Sequence, residues 1–257
     1  MAKKPAVSDE ALARALGVYA GMTAHVLTNP QRWLGLDDDP PASAGLPSRV
    51  LDALRDRTLG DITPASLQWS EQPLAKRVDW WVDRIGAIAG LAAAAPRFAG
   101  ALSDRIPLQA ALGASAAGLA VCAVASEHGR VDADDWVPLL AKVLFDRDLA
   151  PQPAAVPAPE ESEEQLTVAA EDTQEPPSQL AALGRGAQRA VRILWRLART
   201  FLDLQDLLEA RPRGSLIART LGKLPVVGVA GGWLDERGGI RKAAEETGRT
   251  LTADGHS

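Results

Sequence analysis

Apolar residues recur every three or four positions along most of the chain, which is the spacing of amphipathic helices. A first helix is predicted over EALARALGVYAGMTAHVL, with Ser8 as its N-cap and Asn29-Pro30 as its end. Apolar residues make up 46% of the chain, many of them alanine, and aromatic residues only 4%. Small side chains let helices pack closely and make poor strand surfaces, so we predict an all-α helical bundle. Further helices are predicted from about Pro73 to Pro96, over ADDWVPLLAKVLF after Asp132, and from Leu180 to about Ala210.

The most apolar stretch runs from Ile106 to Ser126, 21 residues without a charge. A membrane-spanning helix needs about 20 such residues, but eight of these are alanine, which inserts weakly. We therefore predict a tightly packed central helix buried in the bundle, with a membrane span as the alternative. Two G-x-x-x-G pairs place glycines on one helix face and predict close helix packing, with a hairpin that touches or enters lipid as the alternative; they are Gly86 with Gly90 and Gly228 with Gly232.

The composition changes sharply between residues 150 and 179. The segment from Pro151 to Gln179 holds six prolines, seven acidic residues and no lysine or arginine. Because such a segment buries little apolar area, we predict a disordered acidic linker, or alternatively a surface excursion of the chain. The predicted organisation is an N-terminal helical region over 1–80, two halves of one helical domain over 81–149 and 180–257, and the linker over 150–179.

The charge and the cysteine count exclude several classes of protein. A formal net charge of −5 argues against a nucleic-acid binder, which is usually basic. Cys122 is the only cysteine, so an intramolecular disulfide and a cysteine zinc site are excluded. The N-terminus has no continuous apolar stretch after its lysines, so no signal peptide is predicted and the expected location is the cytoplasm.

The helix predicted after the linker carries arginines along one face. In GRGAQRAVRILWRLARTFL they are spaced four, three, four and three residues apart, within an arc of about 80°. A basic amphipathic helix with a tryptophan near its boundary is typical of an anionic membrane surface. Two alternatives stay open: a solvated face of a packed helix, or a salt-sensitive latch in which the acidic linker folds back onto the arginines. The predicted contacts with anionic lipid or a partner are Arg185, Arg189, Arg192, Arg196, Arg199 and Trp195.

Catalytic motifs are absent from the sequence. The glycine-rich LGKLPVVGVAGGWLDERGG is not a P-loop, because Leu224 follows Gly222-Lys223 where that motif needs serine or threonine. Cys122 lies inside the apolar stretch, which disfavours a reactive thiolate. A metal or acid–base site is conceivable from Glu127, His128, Asp132, Asp134 and Asp135, but a helix end followed by an acid-capped helix start is the preferred interpretation. We predict no enzyme, no catalytic or metal site and no cofactor.

The C-terminal LIARTLGKLPVVGVAGGWLDERGGIRKAAEETGRTL resembles the signature of the EcsC protein family, and IPLQAALGASAAGLAVCAVASEHG is similar to its central segment. The resemblance covers roughly 86–149 and 180–251. It implies an all-helical bacterial protein from a largely uncharacterised family, linked through its name-giving member to a transporter operon. It implies no catalytic residue and no cofactor.

Two functions follow as the main expectations, with an enzyme that uses an unrecognised carboxylate site near His128 as a further alternative. The first is a non-enzymatic, peripherally membrane-associated EcsC-like protein at the inner face of the cell membrane, whose partners are anionic lipid or a membrane protein, possibly a transporter, and not nucleic acid. The alternative is a soluble helical module that binds an apolar ligand or a partner helix in its core.

Overall fold

The computed structural model describes residues 8–34, 62–93, 108–150, 156–171, 185–209 and 233–254. These residues form an all-α bundle without a β-strand, which confirms the predicted fold class. In chain order the described helices are α1 (Asp9–Thr28), α2 (Pro30–Leu34), α3 (Leu74–Ala93), α4 (Leu108–Glu127), α5 (Ala133–Phe145), α6 (Pro159–Glu171), α7 (Arg185–Glu209) and α8 (Trp233–Asp254).

Helix α1 begins and ends where the sequence predicts. The Ser8 hydroxyl accepts a hydrogen bond from the Ala11 amide at 3.3 Å, which satisfies one free donor of the first turn. Asn29 ends the helix, and its side-chain oxygen then accepts from the Arg32 amide at 3.1 Å. That bond starts α2, a five-residue helix that the sequence analysis does not predict. Asn29 therefore both ends α1 and begins α2.

Helix α4 is the centre of the bundle and packs against α1, α3, α5, α7 and α8. Its residues from Ala111 to Ala125 are buried on almost every side, as expected of a helix surrounded by protein. The prediction of a buried central helix over this apolar stretch is confirmed. In the part of the chain that the structure describes, every helix is too short or too polar to cross a membrane.

A glycine in α4 allows α1 to approach closely. A Cβ atom on Gly118 would lie 3.0 Å from the ring of Tyr19, closer than side chains normally pack. The Tyr19 hydroxyl donates to the Ser115 carbonyl at 2.6 Å, so its buried polar end is satisfied. The Tyr19 ring also contacts Phe201 of α7, with centroids 5.0 Å apart. The N-terminal helix is thus anchored in the core of the bundle.

The four sequence segments share this core. Buried residues from 1–80, 81–149, 150–179 and 180–257 belong to one hydrophobic cluster, including Leu16, Leu119, Leu166 and Leu194. Of the glycines predicted to pack closely, Gly86 is buried and Gly90 half-buried in α3, which packs against α4, α7 and α8. Gly228 and Gly232 lie outside the described residues.

The prediction of disorder across 150–179 is wrong for residues 159–171. These residues form α6, which packs against α1 and α7. Leu166 is fully buried and Ser162 nearly so, while the glutamates Glu160 and Glu161 lie in the first turn, where they favour the helix dipole. The acidic composition indicated disorder, but one buried leucine and a well-placed first turn hold a helix against the bundle.

Candidate anionic-surface site

Helix α7 is strongly amphipathic, and its two faces have different surroundings. Its apolar face is buried against α1, α3 and α4, because leucine, valine and isoleucine recur there at helical spacing. Its arginine face lies alongside α2 and α6. The buried residues of α7 include Ala190, Val191, Ile193, Leu194, Leu197, Ala198, Phe201 and Leu202.

The five predicted arginines differ in exposure. Arg185 and Arg199, at the two ends of the row, are exposed. Arg189, Arg192 and Arg196, between them, are half-buried. The structure thus places all five along one side of α7, but the middle of the row is partly covered.

Neighbouring helices supply neutral acceptors to two of the covered arginines. Arg189 Nη1 donates to the backbone carbonyl of Arg32 in α2 at 2.8 Å. Arg196 Nη2 donates to the side-chain amide oxygen of Gln165 in α6 at 2.7 Å. The Arg192 Nε atom is buried without a hydrogen-bond partner. These contacts orient the arginines, and a carbonyl or amide oxygen does not neutralise a guanidinium charge.

Four of the five arginines of this face lack a carboxylate partner among the described residues. Within the described ranges, Arg185, Arg189, Arg192 and Arg199 form no ion pair with a carboxylate. Guanidinium groups present several donors in a planar fork that matches phosphate and carboxylate groups. The face offers that chemistry to an external anion.

Trp195 lies in α7 among these arginines. It is half-buried and packs against the hydrophobic core, with its indole Nε1 atom buried and without a hydrogen-bond partner. Its ring therefore contributes to the packing of α7, and Trp195 directly precedes Arg196 and follows Arg192 by three residues, about one helical turn.

The sequence analysis missed Arg32, which lies beside the arginine row. Its Nη1 atom is 3.0 Å from Glu163 Oε1 of α6, and its guanidinium carbon lies 4.3 Å above the centre of the Trp33 ring. Nearby, Arg84 Nη2 donates to the Leu34 carbonyl at the end of α2, and burial lowers the pKa of Arg84 to about 10. Pro30 was the available sequence signal, because proline favours the first position of a helix and so predicts a helical turn there. Arg32 lies in that turn, where it can face α7.

A second polar cluster forms around Glu127, at the C-terminal end of α4. The indole nitrogens of Trp69 and Trp81 both donate to Glu127 Oε1, at 3.0 Å and 2.8 Å. Arg77 Nη1 lies 2.5 Å from Glu127 Oε2, and the Glu127 side chain is only 9% exposed. Trp80 packs edge-on against both Trp69 and Trp81. Every oxygen of this carboxylate is occupied by a donor of the protein, so its role is structural.

The other residues of the conceivable metal or acid–base site are not gathered around an ion. Asp132 is at the N-cap position of α5, although its side chain makes no capping hydrogen bond. Asp135 pairs with Arg130 at 3.7 Å, and the His128 ring approaches Gly248 of α8. Where the structure describes the chain, no three His, Cys, Asp or Glu side chains are placed to hold a metal ion.

Two titratable groups, the Cys122 thiol and the Tyr19 phenol, are fully buried in the core. Burial raises the pKa of the Cys122 thiol well above its ordinary value, which removes the thiolate a nucleophile needs. Burial likewise raises the pKa of the Tyr19 phenol well above its ordinary value. Neither group contributes charge to a site.

Comparisons of the chain with protein-family models, with curated proteins and with solved structures find no match. What the arginine face binds is therefore inferred from its charges, its exposure and its neighbours.

Proposed function

We propose that the protein is a non-enzymatic, EcsC-like helical protein that associates peripherally with an anionic membrane surface through the arginine face of α7. The observation that carries the proposal is the row of arginines on one side of a docked helix, four of which pair with no carboxylate within the described ranges. A row of unneutralised guanidinium groups has its most favourable partner in a surface rich in phosphate and carboxylate groups.

The magnitude of the attraction suits reversible binding. Each arginine near an anionic leaflet contributes about 1 kcal/mol, and the effect falls off within a Debye length of about 10 Å at 0.1 M salt. The two exposed arginines, Arg185 and Arg199, provide the initial contact, and the half-buried ones add to it as they reorient. The association is expected to weaken steeply with salt.

The resemblance to the EcsC family supports the same proposal from the sequence side. It implies a bacterial helical protein that works beside membrane proteins, with a transporter as the candidate partner. The proposed location is the cytoplasmic side of the cell membrane, where the anionic leaflet and the polar face of such a helix meet.

Co-sedimentation with vesicles tests the proposal. Binding to vesicles of phosphatidylserine and phosphatidylcholine in equal parts is compared with binding to phosphatidylcholine alone, at low and high salt. In the test variant, Arg185, Arg189, Arg192, Arg196 and Arg199 are all changed to Gln. We expect wild-type binding that is specific for the anionic vesicles, is lost at high salt and is absent from the variant.

A matched control separates the arginine face from overall charge. Five exposed basic residues on other surfaces are changed to Gln, which lowers the net charge by the same amount; they are Lys76, Arg130, Lys142, Lys242 and Arg249. The control is expected to keep most of the binding. Equal losses in both variants would show that net charge alone governs binding, and a wild type that binds neither vesicle would exclude the proposed function and turn attention to an apolar ligand or partner helix.

A further inference from the structure

The acidic helix α6 lies against the same helix that carries the arginine face. Gln165 of α6 accepts a hydrogen bond from Arg196, and Glu163 of α6 pairs with Arg32 of α2, which itself accepts from Arg189 through its carbonyl. Helices α6 and α2 therefore contact the arginine row from the side. The three half-buried arginines are the ones between these contacts, and the two exposed ones are at the ends.

Helix α6 also brings negative charge to this position. Its exposed glutamates are Glu160, Glu161, Glu163 and Glu164, and the segment 151–179 contains no basic residue. Only Glu163 is paired with a described basic side chain. Because α6 packs against α7, the negative charge of α6 lowers the positive potential of the arginine face and repels an approaching anionic surface.

The docking of α6 rests on few contacts. Leu166 and Ser162 are its buried side chains, and Val168 is 67% exposed. Ser162 fits closely over α1, where a Cβ on Gly21 would lie 2.9 Å from Ser162 Oγ and 3.2 Å from Pro157 Cδ. The Ser162 hydroxyl gains no hydrogen bond in this position. A 13-residue helix held by one buried leucine, one close glycine contact, the Gln165–Arg196 hydrogen bond and an exposed ion pair can be displaced far more easily than α4 or α7.

We propose that α6 is an autoinhibitory cover of the arginine face, and that α6 and an anionic surface compete for α7. Docked α6 covers Arg196 through Gln165 and holds Glu163 on Arg32, the residue whose carbonyl Arg189 contacts. Undocking of α6 uncovers Arg196 and frees Arg32 from Glu163, which makes this side of the row accessible to the surface. This inference rests on the proposed function, since the competing ligand is the anionic surface that α7 binds.

Two substitutions on the same helix give a matched test. Leu166→Asp places a charge in the buried docking contact and undocks α6. Val168→Asp makes the same chemical change at an exposed position and leaves the docking intact. In the vesicle assay at low salt, we expect Leu166→Asp to bind anionic vesicles about tenfold more tightly than wild type, although it adds a negative charge. Val168→Asp is expected to bind as wild type or slightly more weakly.

A second variant carries the test if Leu166→Asp fails to fold. Gly21→Ala crowds Ser162 and Pro157 from the α1 side, and alanine has the higher propensity for the α1 helix itself. We expect a change of the same sign as for Leu166→Asp, of about threefold. Hydrogen exchange gives an independent readout: the amides of α6 in the wild type are expected to lose protection when anionic vesicles are added, while those of α4 keep theirs.

The outcomes separate the cover from the function. Tighter binding by Leu166→Asp or Gly21→Ala, lost when the five arginines are also changed to Gln, supports the cover. Equal anionic-specific binding by wild type, Gly21→Ala and Leu166→Asp, with α6 protected throughout, overturns the cover and leaves the surface function standing. Absence of binding by every variant overturns both.

Discussion

Two charged clusters of this bundle differ in whether their charges are paired within the protein. Around Glu127, one nearly buried carboxylate meets a guanidinium from Arg77 and two indole N–H groups, so that charge and hydrogen-bonding capacity are matched inside the protein. On α7, several guanidiniums lie in a row, and those of Arg185, Arg189, Arg192 and Arg199 pair with no carboxylate of the described residues.

The difference separates a structural cluster from a face for which we propose a binding role. A carboxylate at the C-terminal end of a helix faces the negative end of the helix dipole, so Glu127 would be unfavourable there without its donors. The cluster therefore joins the Trp69 segment and α3 to the end of α4. Removal of one member leaves the polar groups of the others without their partners. The arginine face contributes little to such ties, so its members can be changed at small cost to stability while their charge remains available to a partner.

The largest effect is expected from Glu127→Ala. The substitution leaves the Arg77 guanidinium and the indole nitrogens of Trp69 and Trp81 without their acceptor in a nearly buried setting. Removing one partner of a buried ion pair costs about 3 kcal/mol or more, and urea unfolding is the measurement. Glu127→Gln keeps an acceptor for the indole N–H groups, so it should lower the free energy of unfolding clearly less than Glu127→Ala does. If both substitutions cost under about 0.5 kcal/mol, the cluster is no more structural than a surface pair.

Trp81→Phe is expected to have an intermediate effect. It keeps an aromatic ring in the buried position against Trp80 and removes the N–H that donates to Glu127. A hydrogen bond to a charged acceptor contributes about 1.5–3 kcal/mol, and urea unfolding again gives the loss. In the Glu127→Ala background the same substitution should cost distinctly less, because the acceptor is already gone. Equal costs in the two backgrounds would contradict the coupling between Trp81 and Glu127.

The sequence reveals one of these clusters and hides the other. The arginine row is visible because helical spacing alone places its members on one face. Glu127 meets Trp69 and Trp81 across separations of 58 and 46 residues, and no local pattern reports such a contact. Helix starts at Ser8 and Asp132 and the burial of α4 were predictable for the same reason as the arginine row, since each depends on neighbours a few residues away.

Helix α6 shows where composition misleads. Its segment has the prolines and acids of a disordered linker, and an isolated helix of this length is marginal in water. Its stability depends on a close approach to Gly21, which lies over a hundred residues earlier, and on the burial of Leu166. Gly21, a glycine inside the amphipathic helix α1, was the available sequence signal for a close contact. The sequence does not show which part of the chain packs against it.

Arg192→Gln is expected to change stability very little. The Arg192 Nε atom makes no hydrogen bond, and the side chain has like-charged neighbours at Arg189 and Arg196. Relief of that repulsion, a few tenths of a kcal/mol, offsets the loss of some aliphatic packing. Urea unfolding should therefore give a change within about 0.5 kcal/mol of wild type. A loss comparable to that of Glu127→Ala would make the arginine face as structural as the Glu127 cluster and erase the contrast between them.

A similarly small effect is expected for the ion pair between Arg32 of α2 and Glu163 of α6. Both side chains are 48% exposed, so solvent screens their attraction, although the atoms are 3.0 Å apart. A double-mutant cycle with Arg32→Gln and Glu163→Gln should give a coupling of about 0.3–0.5 kcal/mol at low salt, vanishing near 1 M salt. A coupling above about 2 kcal/mol that persists in high salt would mean that α6 is held by a desolvated ion pair, as Glu127 is held by Arg77. Weak, salt-sensitive coupling instead leaves Leu166 as the main attachment of α6, because a screened ion pair cannot replace the burial of a whole leucine side chain.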